Sequence, residues 1–371
     1  MNKYFTSYSF IIVLSVLFFG CGKPANTDTF GKAEMFTNYA DNLILPAYNT
    51  YKEKIDTLHE IETDFSAAPD LLKLTKLQAI FLRTYAAWQF CEIYSQTSPA
   101  NDIMALENTN YYPCRKDSIE AYIARNDNSV SFIKNKLKSD KGLAAIEYLL
   151  FSRTLTQQQI LERFTTNPNA ASYKLYLESL IANIAQIRAD MVSSWSTYRQ
   201  SFIENVGTDA SSSFSVMVNS IAQRTDDLKR MQVGTPAGYL GNIWGGSNAP
   251  TTVQAYYSNN SITFMLLTLQ DMKDVLNGKR VTDGKGLLDY IRTLNVSSTF
   301  GGNLADDILN QIDVCITKVN ACGSDYAETV VNDKPKADSL FLETKKLLVL
   351  MKVDVPSAIG VSITYTDADG D

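Results

Sequence analysis

The sequence predicts an all-α protein: two helical bundles joined around one long central helix, with minimal β structure at the C-terminus. Three observations carry this. Apolar residues recur at spacings of three and four along most of the 371 residues, which is the period of an amphipathic helix. One stripe, running through Leu177, Leu180 or Ile181, Ile184, Ile187, Met191, Trp195, Tyr198 and Phe202, is about forty residues long with its flanks and must pack on neighbours to be stable. Strand-type alternation is convincing in only one place, VSITYT at 361–366.

The elements follow in order. Between Thr29 and Glu62 the apolar face is Phe36, Tyr39 or Ala40, Leu43, Ala47, Tyr51, Ile55 and Leu58. Pro46 interrupts it and predicts a kink, because proline lacks an N–H and crowds the preceding turn. Pro69-Asp70 opens a second helix with Leu74, Leu77, Phe81, Tyr85 and Trp88 on one face. Residues 98–114 lose the period and read as a long loop. Asp117–Ala124 and Ser129–Leu137 are short amphipathic pieces. The central helix follows Pro168 and ends by Gly207, and Ser211–Met231 continues as another helix. Val233–Pro250 holds five glycines and two prolines, a loop of the length that is usually functional or disordered. Thr251–Leu276, Leu287–Leu294, Leu304–Val319 and Ala337–Leu350 are helical. No repeat of twenty to fifty residues is visible.

The N-terminus is read as a leader. Lys3 precedes an apolar run, Phe10–Phe19, too short to span a bilayer, and Gly20-Cys21 follows. This resembles a bacterial lipobox, with Phe18 where Leu is usual; an ordinary signal peptide is the alternative. The expected division is 1–20 lipoprotein signal peptide, 21–29 tether, 30–165 N-terminal bundle and 166–371 C-terminal bundle. Cys21 would carry the lipid, and acyl chains would anchor the protein to a membrane of the cell envelope, on its periplasmic or outer-membrane face. The net charge of −6 speaks against a nucleic-acid surface. Cys91, Cys114, Cys315 and Cys322 remain, an even number outside the cytoplasm. Cys91–Cys114 with Cys315–Cys322 is the local pairing, and four buried thiols are the alternative.

Most standard catalytic constellations are absent: no GxSxG, GxxxxGK or HExxH occurs. The single histidine, His59, reads as a surface or cap residue, and two-histidine sites are excluded. The terminal DADGD, Asp367–Asp371, starts like a calcium loop but lacks its twelfth-position acid. Glu147 is different. It is the one charge in GLAAIEYLLF, Gly142–Phe151, and an isolated buried carboxylate is costly. The residue one helical turn before it, on the same face, is Ala144, which ligates nothing. Glu147 therefore either accepts hydrogen bonds from the backbone or an arginine and fixes helix packing, or belongs to a site completed from elsewhere.

GLAAIEYLLF resembles the GxHxxE signature of the imelysin family. NLILPAY (42–48), AAWQ (86–89), NYYPCRKDSIEAYI (110–123), GTPAG, QAYYSNNSI (254–262) and SITYTDADGD are similar to family segments in the same order. The resemblance spans roughly residues 30–371. It implies two helical bundle-like domains, a secreted or lipid-anchored protein, a class once placed among metallopeptidases, and a likeness to periplasmic components of iron uptake. It places the functional site in a cleft between the domains. The motif histidine is Ala144 here, so a peptidase metal site lacks a ligand. The resulting expectation is a non-catalytic, periplasm-facing lipoprotein that binds iron or an iron-bearing ligand in that cleft. Glu147, Gly142, Trp88, Tyr111, Tyr112 and Trp244 would line it, with Glu147 as the one candidate metal ligand. A divergent metallopeptidase and a protein-interaction scaffold with a protein partner are the alternatives.

Overall fold

The computed structural model describes residues 28–96, 99–239 and 248–365. The expected signal segment, Cys21, Trp244 and Asp367–Asp371 lie outside them. The described chain is all-α. Its helices are α1 (Lys32–Asn38), α2 (Leu45–Ala67), α3 (Leu71–Glu92), α4 (Ala105–Thr109), α5 (Lys116–Ala124), α6 (Val130–Lys134), α7 (Gly142–Leu150) and α8 (Gln157–Glu162). They continue as α9 (Ala170–Glu204), α10 (Ser213–Asp227), α11 (Ser261–Leu276), α12 (Leu287–Leu294), α13 (Leu304–Ala321), α14 (Tyr326–Asn332), α15 (Lys334–Val349) and α16 (Val355–Ile359). No described helix is long and apolar enough to cross a membrane.

Three wide π turns explain the prolines. They cover Tyr39–Ile44, Leu228–Gly234 and Leu350–Asp354. Each ends two residues before a proline: Pro46, Pro236 and Pro356. A proline inside a helix removes one N–H and crowds the carbonyl four residues back. A locally wider turn relieves both faults and lets the helix continue. The kink expected at Pro46 is therefore spread over a π turn joining α1 to α2.

Helices α2 and α3 pack along each other, with α9 against α2 and α7 against α9. Helices α11, α13 and α15 form a second packed group with the π turn after α10. One continuous apolar core runs through both groups. Helix α1 packs on α9 and, at its end, reaches the second group. Phe36 meets Phe202 and Phe214 edge-on at 5.3 and 4.9 Å. Asn38 donates to the carbonyls of Gly278 and Lys285 at 2.7 and 3.0 Å. The Tyr39 hydroxyl donates to the Val275 carbonyl (2.8 Å) and accepts the Leu287 N–H (2.9 Å).

Two expectations change. Residues 361–365 form no strand. Among the described residues β pairing is limited to isolated bridges, Lys279 with Asp283 and Ser297 with Asn303. The segment finds no neighbouring strand; Asn219 takes its backbone instead, donating to the Ser362 carbonyl at 3.0 Å and accepting the Thr364 N–H at 2.7 Å. The helix expected from Thr251 starts at Ser261, because Ala255 and Asn259 turn through left-handed backbone, φ 55° and 57°, which breaks a helix.

Asn38 is buried, so Asn38→Ala strands two carbonyls and is expected to cost ~1–3 kcal/mol. Urea denaturation of both proteins measures it; a loss under ~0.5 kcal/mol, the usual size for an inconsequential surface change, would contradict the docking role.

Candidate functional site

Helix α7 is buried along all nine residues, so its polar groups must be satisfied by protein. Gln78 donates to the Leu150 carbonyl at 2.7 Å. Arg163 donates to the carbonyls of Tyr148 and Leu149 at 2.8 and 3.1 Å. At the other end Gly142 turns with φ +75°, and a Cβ there would overlap the Thr109 carbonyl. Only glycine both reaches that backbone region without strain and lets α4 approach so closely.

Glu147 lies in the middle of α7. One carboxylate oxygen accepts the Ser258 N–H at 2.7 Å, with the Tyr257 N–H also bonding to the side chain. Burial pushes Glu147 from the ordinary 4.5 up to about 7, with these hydrogen bonds and Arg153 pulling the other way. The carboxylate thus ties α7 to the 253–260 loop. Arg153 pins the same loop, stacking on the Tyr256 ring at 4.8 Å and pairing with Asp325.

A cavity lies next to this loop. It measures about 320 Å³, the lower end for small-molecule sites. It is lined by Glu92, at the end of α3, with Tyr111 and Tyr112, and by Arg224 of α10 with Arg230 and Met231 of the following π turn. Thr252, at the start of the loop segment, closes one side. Glu92 and Arg224 are both buried and pair at 3.0 Å. Arg224 also donates to Gln89 (3.2 Å) and Thr268 (2.7 Å). Asn110 donates to the same Glu92 oxygen, Oε1, at 3.3 Å and accepts from the Tyr85 hydroxyl at 2.6 Å. Glu92 Oε2 is buried and has no partner. Burial pushes Glu92 up to about 7, against the pull of Arg224.

The residues expected to form the site divide. Tyr111 and Tyr112 line the cavity. Trp88 does not; it is fully buried and packs on Tyr51 at 5.2 Å, because its face of α3 meets α2. Gly142 and Glu147 serve the packing just described, outside the cavity lining. Trp244 falls outside the described residues. The local disulfides do not form: Cys91, Cys114, Cys315 and Cys322 are four buried free thiols. Cys91 faces Arg280 and Asp271, whereas Cys114 faces Tyr257 and Glu147. Burial pushes the Cys114 and Cys315 thiols up to about 12, which leaves them unreactive. Sequence reasoning missed Glu92 and Arg224. The signal was present: Glu92 follows the apolar face of α3, and Arg224 sits inside the apolar pattern of α10.

The imelysin family profile matches residues 44–348. The chain belongs to the imelysin family. Two solved structures share its fold. One is described as a candidate iron-regulated protein A precursor from Parabacteroides distasonis ATCC 8503, with 16% identity, TM-score 0.72, and 89% of this chain and 95% of that one covered. The other is an imelysin-like protein from Psychrobacter arcticum 273-4, with 17% identity, TM-score 0.67, and 91% and 99% covered. No curated protein matches the chain. Against the imelysin signature, Gly142 and Glu147 are in place and the histidine is Ala144. Among the described residues no three His, Cys, Asp or Glu side chains gather at metal-binding spacing. The Glu147 carboxylate is already bonded to backbone amides. The residues at the motif therefore do not suit a catalytic metal.

Two outcomes are expected. A carboxyl whose folded pKa is raised favours the folded state while protonated, and that stability is lost as pH rises from about 4.5 toward about 7. Glu147→Gln keeps an acceptor for Ser258 and removes the charge. Urea denaturation at pH 5 and pH 8 should show the variant gaining ~1–3 kcal/mol on the wild type across that interval; parallel pH profiles would contradict it. Gly142→Ala should cost more than ~2 kcal/mol, through strain at positive φ and overlap with Thr109, which thermal melting reads directly.

Proposed function

We propose that this imelysin-family chain is a non-catalytic binding protein of the cell envelope, anchored by lipid on Cys21 and facing the periplasm. Its ligand occupies the cavity lined in part by the Glu92–Arg224 pair. The observation that carries this reading is Glu92 Oε2. A buried carboxylate oxygen without a partner is expensive, and the residue that carries this one lines a preformed cavity with two tyrosine rings. Occupancy by a ligand offsets that cost. Ala144 and the engaged Glu147 argue against peptide hydrolysis.

The iron link is part of the proposal and rests on kinship. The Parabacteroides distasonis protein is described as iron-regulated, and the resemblance to iron-uptake components points the same way. Hard oxygen donors from carboxylates and tyrosines suit ferric iron. In this cavity, however, the carboxylates do not gather at metal-binding spacing and two are engaged by arginines. The cargo is therefore an organic or iron-bearing molecule of an iron-linked process rather than a bare ion.

Met231 is half-buried at the cavity wall. Isothermal titration of the full-length chain against ferric chloride, ferric citrate and small organic cations and anions should reveal saturable one-to-one binding to at least one. Met231→Trp, which fills the cavity, should weaken that binding at least tenfold. Metal-dependent cleavage of casein, lost on Glu147→Gln, would overturn the proposal in favour of a peptidase.

A further inference from the structure

The chain carries a net charge of −6, yet residues 115–141 hold seven basic and four acidic residues. This local reversal of sign lies in the first group, on α5, α6 and the segment that leads to α7. Three of its four acids are engaged. Asp140 accepts from Arg115 at 2.8 and 2.6 Å, Asp127 accepts from Arg125 at 3.0 Å, and Glu120 accepts from the Tyr148 and Tyr173 hydroxyls. Asp117 is exposed and forms no ion pair among the described residues. Lys141 is buried and donates to the Lys134 carbonyl at 2.9 Å. Lys116, Lys134, Lys136 and Lys138 remain, and none of them forms an ion pair among the described residues.

Aromatic rings gather these cations on one surface. Lys136 lies 3.9 Å from the Phe132 ring centre and 5.3 Å from that of Tyr122, and the two rings meet edge-on at 5.1 Å. Arg125 lies 5.3 Å from the Tyr122 ring centre. The Tyr122 hydroxyl donates to Asp140 at 3.2 Å, and the Arg115 N–H donates to the Ser139 carbonyl at 2.8 Å. These bonds hold the lysine-rich segment against α5. Lys138 lies 4.4 Å from the Tyr111 ring centre. Two apolar side chains stand out among the charges. Leu137, between Lys136 and Lys138, is 59% exposed, and Val130, one helical turn before Lys134, is 42% exposed.

A single exposed leucine needs no explanation. One framed by unpaired lysines and half-buried rings has the composition of a membrane-surface contact: the apolar side chain enters the headgroup boundary, the rings sit at headgroup level, and the ammonium groups meet phosphates. A stable protein interface takes roughly 20–30 residues a side, several times what this patch holds. A bilayer needs no such area, because each lysine is drawn separately to the surface potential.

We propose that this patch docks on an anionic phospholipid bilayer, with Leu137 among the headgroups and Lys134, Lys136 and Lys138 on their phosphates. Lys138 and Tyr111 also line the cavity, so the docked face adjoins it. The inference does not require that the cavity hold a ligand.

The test is co-sedimentation of the full-length chain with phosphatidylcholine vesicles and with phosphatidylglycerol vesicles. Any contribution of the apolar run at 10–19 cancels between wild type and variant. The wild type should bind phosphatidylglycerol more tightly than phosphatidylcholine, and raising the salt from ~0.05 to ~0.5 M should remove most of the difference. Lys134→Gln and Lys136→Gln, both at exposed or half-buried positions, should each weaken binding to phosphatidylglycerol about fivefold. Leu137→Ser should weaken it several-fold. Lys345→Gln, which removes an exposed charge from α15 in the second group, should leave it unchanged. Equal binding to the two vesicle types, or phosphatidylglycerol binding indifferent to Lys134→Gln, Lys136→Gln and Leu137→Ser, overturns the assignment. Loss on Lys345→Gln equal to that on Lys136→Gln overturns it too, because the attraction would then follow overall charge rather than this patch.

Discussion

The bond from the Ser258 N–H to Glu147 is the interaction on which the junction depends. Helix α7 is buried on every side, so its single charge has no water to turn to. It is kept in place by amides from a loop belonging to the other half of the chain. That loop runs through left-handed residues at Ala255 and Asn259, is pinned again by Arg153, and leads back to Thr252 at the cavity. Forward, it leads into α11, where Phe264 packs on Tyr85 at 4.5 Å. Tyr85 in turn bonds Asn110, which bonds Glu92. A chain of contacts thereby links the carboxylate outside the cavity to the one inside it.

The two acids show how environment separates roles. Both are buried, and burial raises both to about 7. Glu147 has its exposed valence filled by backbone amides, and nothing further can approach it. Glu92 shares one oxygen with Arg224 and Asn110, and its other oxygen is buried without a partner. Burying an ion pair rarely adds much stability by itself. The Glu92–Arg224 pair is better understood as a support that holds a carboxylate where a ligand can reach it. The π turn after α10 contributes by widening the helix where Arg230 and Met231 meet the cavity, a position where such turns are often functional.

Much of the fold was legible because it rests on periodicity. The stripes of α2, α3, α9 and α13 are long, and burial of one face decides them. Pro46 was legible as a disturbance, but its resolution into a π turn goes with the bonds of Asn38 and Tyr39 to residues 275–287, which no local pattern encodes. The start of α11 was misplaced because QAYYSNN is apolar enough to mimic a helix; only Glu147, far away in sequence, explains why it turns instead. VSITYT alternates like a strand yet has no partner strand, so the Asn219 side chain takes its backbone. The site was half legible. Tyr111 and Tyr112 stood out as an aromatic pair before a proline. Glu92 and Arg224 did not, since each looks like an ordinary polar residue at a helix edge until the two halves meet. Trp88 drew attention by its size, and size is also why it fills the core.

The central claim is that the cavity beside Glu92, not the motif helix α7, receives the ligand. Hydrogen–deuterium exchange on the full-length chain, with and without saturating ferric citrate, tests it most directly. The account predicts slowed exchange in peptides containing Glu92, Asn110–Pro113 and Arg224–Met231, with the Gly142–Leu150 peptide unchanged. Protection confined to Gly142–Leu150 and Tyr257–Ser258 would place the ligand at Glu147 and contradict it.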